Sequence, residues 1–262
     1  MPAHGEEIRL GANAPLPLES SGAVWLVEEG TVEVFAVPRD GTGPRTHLCT
    51  VGQGQVVCEA PLNGVFGRGL GLLAVGHTGT RLRRLDIDRA GDPRTASDLA
   101  ARLDGWLQGL LGPGHRPAAP KVFEDLRPGS ETHLPEAGRS ARPREGVAWV
   151  RHLEGESRLL GEEALAIRDG CLLPVPEGLW LVSAGKARVA ASGTGDLLRQ
   201  GGLWEGLSRF HELCLGYVAL QLERGERQER ERLGRKVDLD RRALSGAYAR
   251  LASVLVPLPG DG

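Results

Sequence analysis

A carboxylate and a guanidinium nine residues apart, Glu59 and Arg68, are the pair in this sequence with most chemistry to offer. An ionised carboxylate accepts hydrogen bonds from hydroxyls, and a guanidinium grips an anion through a rigid fork of N–H donors. His211 and Cys214, three apart on one helix, come nearest to an activated His–Cys pair, but their spacing inside an apolar helical pattern reads as packing. Cys49, Cys58 and Cys171 sit in apolar strand patterns where thiols are inert, and no C-x-x-C spacing points to zinc or a disulfide framework. His47 and His77 stand alone, so the converging His and carboxylate ligands of a cupin-type metal enzyme are not seen. Gly185-Lys186 runs into Ala187 and lacks the upstream glycine of a phosphate-cradling loop. The expectation is no catalytic residue, no metal and no cofactor.

The elements that must position Glu59 and Arg68 are short strands. From Gly22 to Asp88 the text alternates apolar runs such as Ala23 to Val27, Thr31 to Val37 and Leu70 to Val75 with turns of Gly, Asp and Pro. Six or more closely spaced strands predict a roll, sandwich or small barrel. Asp92-Pro93-Arg94-Thr95 opens a helix whose Leu99, Leu103, Trp106, Leu107 and Leu110 recur at helical spacing until Gly112-Pro113-Gly114. Residues 112–145 are rich in Pro, Gly and Arg with little periodicity and read as a linker. Strands resume at Val147, and Ala23 to Gly30 looks like Val147 to Gly155, as in a degenerate repeat. The C-terminal part is helical. One apolar face holds Leu203, Leu207, Phe210, Leu213, Cys214, Tyr217 and Leu220; a charge-alternating run follows from Glu223 to Arg232, then a stripe of Val237, Leu244, Tyr248, Leu251 and Leu255.

With 40% hydrophobic and 25% charged residues the chain has the balance of a folded globular protein, and 262 residues allow two domains. A formal charge of −2 gives no pull toward nucleic acid or an anionic bilayer. The first residues lack a basic segment leading into an apolar run, which predicts a cytoplasmic protein, and the longest apolar stretches fall short of a membrane span.

The segment from Val51 through Glu59-Ala60-Pro61-Leu62 and Arg68 to Val75 resembles the phosphate-binding cassette of cyclic-nucleotide-binding domains. The resemblance implies that Glu59 takes the ribose hydroxyl and Arg68 the cyclic phosphate. Cys58 stands where that family has the glycine before the glutamate, Pro61 lies in the short cassette helix, and Gly69-Leu70 replaces the pair after the arginine. Over most of its length the chain also resembles the N-terminal cytoplasmic region of NHLM-type (NHLP) bacteriocin-export ABC transporters. That likeness rests on Val24 to Val37, Gly71 to Gly76, Trp149 to Gly155, and the tail from Glu229 to Leu255.

The expected fold is mainly β with α: tandem cyclic-nucleotide-binding-like β-rolls of jelly-roll type with accessory and C-terminal helices. The boundaries read as 1–111 for a roll plus closing helix, 112–145 for the linker, 146–202 for a second, degenerate roll and 203–262 for C-terminal helices. The expected function is a non-catalytic regulatory or interaction module for the making or export of a ribosomally made, modified peptide. Its partners would be an exporter, a modifying enzyme or a leader peptide, with any membrane association indirect, at the periphery of an inner-membrane transporter. A cyclic-nucleotide sensor using Glu59 and Arg68 is the alternative, and a cupin-like enzyme the more distant one. Leu244, Tyr248, Leu251 and Leu255 are the expected partner interface, with a homodimer through this helix as one form of it.

Overall fold

The computed structural model describes residues 5–20, 22–62, 69–87 and 93–254, with backbone alone at 93, 113, 246 and 248–254. The chain is mainly β with a few helices, and it divides into a unit from Met1 to Ala219 and a second from Leu220 to Gly262.

Two sheets form the first roll of the larger unit. One has the order β1 (Glu7–Leu10), β8 (Thr80–Leu85), β3 (Ala23–Glu29), β6 (Val56–Glu59). The other has the order β2 (Leu16–Pro17), β7 (Leu70–Gly76), β4 (Thr31–Pro38), β5 (Thr46–Gly52). Val32, Val34 and Ala36 of β4 point into the core while Thr31, Glu33 and Phe35 point outward, the alternation expected where one face of a sheet is covered. Gly30, at φ 82°, makes the turn from β3 to β4, and a Cβ there would stand 2.5 Å from the Thr80 hydroxyl.

The second roll repeats this order strand for strand. Its sheets run β10 (Ser130–Leu134), β17 (Ala187–Ser192), β12 (Val147–Glu154), β15 (Leu172–Pro176), and β14 (Ala166–Ile167), β13 (Ser157–Leu159), β16 (Leu181–Ser183), β11 (Ser140–Arg142), β9 (Glu124–Asp125). Among the described strands only β9, parallel to β11, has no counterpart. The strand before each glycine turn carries a bulge, between Val27 and Glu29 in β3 and between His152 and Glu154 in β12, and Gly155 repeats Gly30 at φ 82°. Counting from the bulges, Trp149 occupies the position of Val24 rather than Trp25, and Val175 that of Glu59. The repeat is therefore present, with Trp149 one residue out of register from Trp25, which turns the two side chains to different faces.

Residues 112–145, read as a linker, contain β9, β10 and β11. Ser130, Glu131, Thr132 and His133 have no apolar alternation, yet all of β10 from Ser130 to Leu134 pairs with β17, so backbone hydrogen bonding and not side-chain pattern makes this an edge strand. The second roll thus begins at Glu124, well before residue 146.

Helix α1 (Pro93–Leu110) buries Leu99, Leu103, Trp106, Leu107 and Leu110. It packs against β5 and β6 of the first roll and against β12, β15 and α2 (Thr194–Gln200) of the second. A single helix, α3 (Leu203–Val254), takes the place of the expected C-terminal helices. From Leu207 to Ala219 nearly every side is buried, His211, Glu212, Leu215 and Val218 included, so the single apolar stripe understates it.

Past Ala219 the helix belongs to the smaller unit, and its described side chains are almost all exposed. Its helicity comes from good helix formers and from ion pairs such as Arg230 with Glu226 at 2.9 Å. Among the described residues no helix is long and apolar enough to cross a membrane.

Candidate functional site

Glu59 ends β6 and is buried at 4% exposure. Ala23 is its direct partner on β3 and Trp25 faces Val57, so Trp25 and Glu59 are diagonal neighbours on one face of the sheet. Trp25 Nε1 donates to Glu59 Oε1 at 2.6 Å, and Ser20 Oγ donates to Oε2. Both carboxylate oxygens are thus engaged by the protein, and the group ties β6 to β3 and to the segment before it. Arg68 lies outside the described residues. The Cys58 thiol beside Glu59 is fully buried, and burial pushes its pKa far up; Cys49 is pushed up to about 12 by burial and by the nearby Glu33 charge. Neither presents a thiolate near neutral pH.

His47 and His77 do not stand alone. His47 Nε2 lies 2.6 Å from Glu33 Oε2, and His77 Nε2 lies 3.2 Å from Glu33 Oε1; Thr50 Oγ1 donates to Glu33 Oε2 at 2.7 Å. The bulge between Val34 and Phe35 makes this possible, because it sets His47 opposite Phe35 and so on the outward face that Glu33 shares. Partial burial pushes the Glu33 carboxyl upward, but the bonds from Thr50, His47 and His77 outweigh it and hold the carboxyl below its usual range. The cluster is exposed on the outside of the roll. Among the described residues no group of three or more His, Cys, Asp or Glu side chains is placed to hold a metal ion.

Two buried pairs resemble catalytic parts without their access. Ser157 Oγ and His152 Nε2 are 2.7 Å apart, but both residues are buried, and among the described residues no carboxylate bonds the His152 ring to orient it for proton transfer. His211 Nε2 accepts from Trp106 Nε1 at 3.0 Å, which puts its own proton on Nδ1. Burial lowers the His211 pKa to about 3 and raises that of the Cys214 thiol, so the His211–Cys214 pair stays neutral in the core.

The expected partner interface falls on the exposed half of α3. Leu244 is 59% exposed, in the company of Leu233, Val237 and Leu239. Of Tyr248 and Leu251 only the backbone is described, within the helix, and Leu255 lies outside the described residues. Leu233, Val237, Asp240, Leu244, Ala247, Leu251 and Val254 follow one another at alternating steps of four and three. That is the spacing of a coiled-coil seam, interrupted at Asp240.

No family model matches the chain, and no curated protein matches it. Among solved structures it is similar to the regulatory domain of Toxoplasma gondii PKA with cAMP, at 13% identity over 84% of this chain and 85% of that chain, TM-score 0.24. It is also similar to the regulatory subunit of a cAMP-independent protein kinase A from Trypanosoma brucei, at 13% identity over 85% and 78%, TM-score 0.23. A mutant of Bacillus subtilis oxalate decarboxylase OxdC matches at 13% identity over 72% and 65%, TM-score 0.19. The strand orders and registers, not these scores, define the architecture.

Proposed function

We propose that the chain is a non-catalytic interaction module that pairs with a second copy of itself through α3 beyond Ala219. The observation that carries this reading is the seam from Leu233 to Val254, whose described large members Leu233, Val237 and Leu244 are more than half exposed. Leaving such side chains in water forgoes roughly 1.5–3 kcal/mol each. The flanking run from Glu223 to Arg232 alternates in sign, so two copies do not repel as blocks of like charge would. Asp240 on the seam weakens the pair and sets its register. Light scattering tests this: the intact chain is expected to dimerise with concentration, Asp240→Leu to tighten the dimer and Leu244→Asp to loosen it, each by about tenfold or more in Kd. A chain that stays monomeric at high concentration with either residue at 240 defeats the proposal.

The resemblance to NHLM-type transporters connects this module to peptide export, with an exporter, a modifying enzyme or a leader peptide as the further partner and tandem cyclic-nucleotide-binding-like rolls as the scaffold. Its cellular place in this reading is the cytoplasm, against a transporter. Direct mixing with a leader peptide or exporter fragment, read by calorimetry, tests each pairing. The sensor reading is favoured by one placement, Glu59 at the end of β6 ahead of the β6–β7 connection. A ligand hydroxyl would there compete with Ser20 and Trp25 for the carboxylate. Titration with cyclic AMP and cyclic GMP decides it, and heat that vanishes in Glu59→Gln would put the sensor first.

A further inference from the structure

At one end of the second roll, Arg116, Arg142, Arg144, Glu177 and Gly178 line a cavity of about 550 Å³, with Pro117 to Ala119 completing its wall. Two separate stretches bring the arginines together: the segment after α1 supplies Arg116, and the end of β11 with the turn that follows it supplies Arg142 and Arg144. Glu177 and Gly178 come from the turn between β15 and β16.

The arginines are held differently. Arg142 stacks over the Phe123 ring at 4.1 Å and donates from Nη1 to the Glu177 carbonyl at 2.9 Å, while its buried Nε has no hydrogen-bond partner among the described residues. Arg144 reaches Asp125 at 3.1 Å, a carboxylate it shares with Arg127. Arg116 lies against the backbone of Gly178, in the space a side chain there would fill: a Cβ on Gly178 would fall 1.1 Å from its Nη1. No hydrogen bond to the Arg116 guanidinium occurs among the described residues. Desolvation, and the neighbouring Arg142 charge, lower the Arg116 pKa against the pull of Glu177.

We infer that this cavity is a binding site for a phosphate group. Its charged lining holds three guanidinium groups and one carboxylate, and the Asp125 that pairs with Arg144 is itself shared with Arg127, so the site keeps a surplus of two positive charges that suits a phosphate monoester at about −2 better than a carboxylate at −1. The volume falls in the range of about 300–1,000 Å³ typical of small-ligand sites. Like charges converge here at a cost that an anion would relieve, and planar forks match phosphate oxygens. The absence of a side chain at Gly178 is what admits Arg116.

Calorimetry on the intact chain at low salt tests the site with inorganic phosphate, ribose 5-phosphate and acetate. Both phosphates are expected to bind and acetate not; ribose 5-phosphate binding the tighter identifies a phosphorylated small molecule as ligand, and equal binding identifies the free ion. Gly178→Ala, which expels Arg116 without changing any charge, and Arg116→Gln are each expected to weaken phosphate binding about tenfold. Arg199→Gln, a control on α2 whose partner is Asp196 and which lies outside the cavity lining, is expected to leave it unchanged, and circular dichroism confirms that each variant is folded. Phosphate binding no better than acetate, or unaffected by Gly178→Ala and Arg116→Gln together, overturns the inference.

Discussion

Glu59 shows how a residue of functional type can be consumed by the fold. Its two oxygens are occupied by Trp25 and Ser20, so its chemistry within the chain is to satisfy two donors in a nearly dry place. Trp25→Phe leaves Oε1 buried without a donor and is expected to cost about 1–3 kcal/mol in urea unfolding. Glu59→Gln keeps an acceptor for the indole and offers an amide N–H to the Ser20 hydroxyl, so it is expected to cost less than Trp25→Phe; the reverse order defeats this account. The histidines give the second expectation at this scale. His211 is neutral in the folded chain, with its pKa lowered from 6.5 to about 3 by burial, and His152 is lowered too, chiefly by burial. A histidine depressed in the folded state takes up its proton more readily when unfolded, so stability is full above pH 6.5 and falls as pH drops toward the folded values. In His211→Gln, which retains an acceptor for Trp106, urea midpoints between pH 7 and pH 4 are expected to fall less steeply than in the unaltered chain. An identical slope would remove His211 from the explanation.

At the scale of elements, the two rolls share a device as well as an order: a bulged strand, a glycine at φ 82° and an immediate contact with the strand that closes the sheet. A Cβ on Gly155 would stand 2.2 Å from the Lys186 carbonyl oxygen, and one on Gly30 would meet Thr80. Gly79 has a similar φ of 85° but nothing within 4 Å of its Cβ position. Alanine at Gly155 or Gly30 is therefore expected to cost more than alanine at Gly79, by about 1 kcal/mol or more, since only the first two add a collision to the unfavourable backbone. Thermal unfolding of the three variants checks it, and equal losses would show that the backbone angle alone matters.

Across the whole of the larger unit, α1 is the wall that both rolls share. It touches β5 and β6 on one side of its sequence neighbourhood and β12, β15 and α2 on the other. Polar links reinforce it: Trp106 donates to His211, and Asp104 accepts from Thr194, which in turn accepts from Trp149 at 2.7 Å. Residues up to Ala219 are therefore expected to unfold in one transition, with calorimetric and van't Hoff enthalpies in agreement, and two separated endotherms would contradict this. Much of this architecture is carried by neighbouring residues: the alternation of β4, the glycine turns and the apolar spacing of α1 are local patterns, each readable within a dozen positions. Tertiary pairing decided what local pattern leaves open. β10 is a strand because β17 offers it hydrogen bonds, His47 meets Glu33 because of a bulge, and Trp149 sits one residue out of register from Trp25. The physical reason is the same in each case: side-chain periodicity specifies which face of a segment is buried, whereas register and partner are set by backbone hydrogen bonds between segments far apart in the chain.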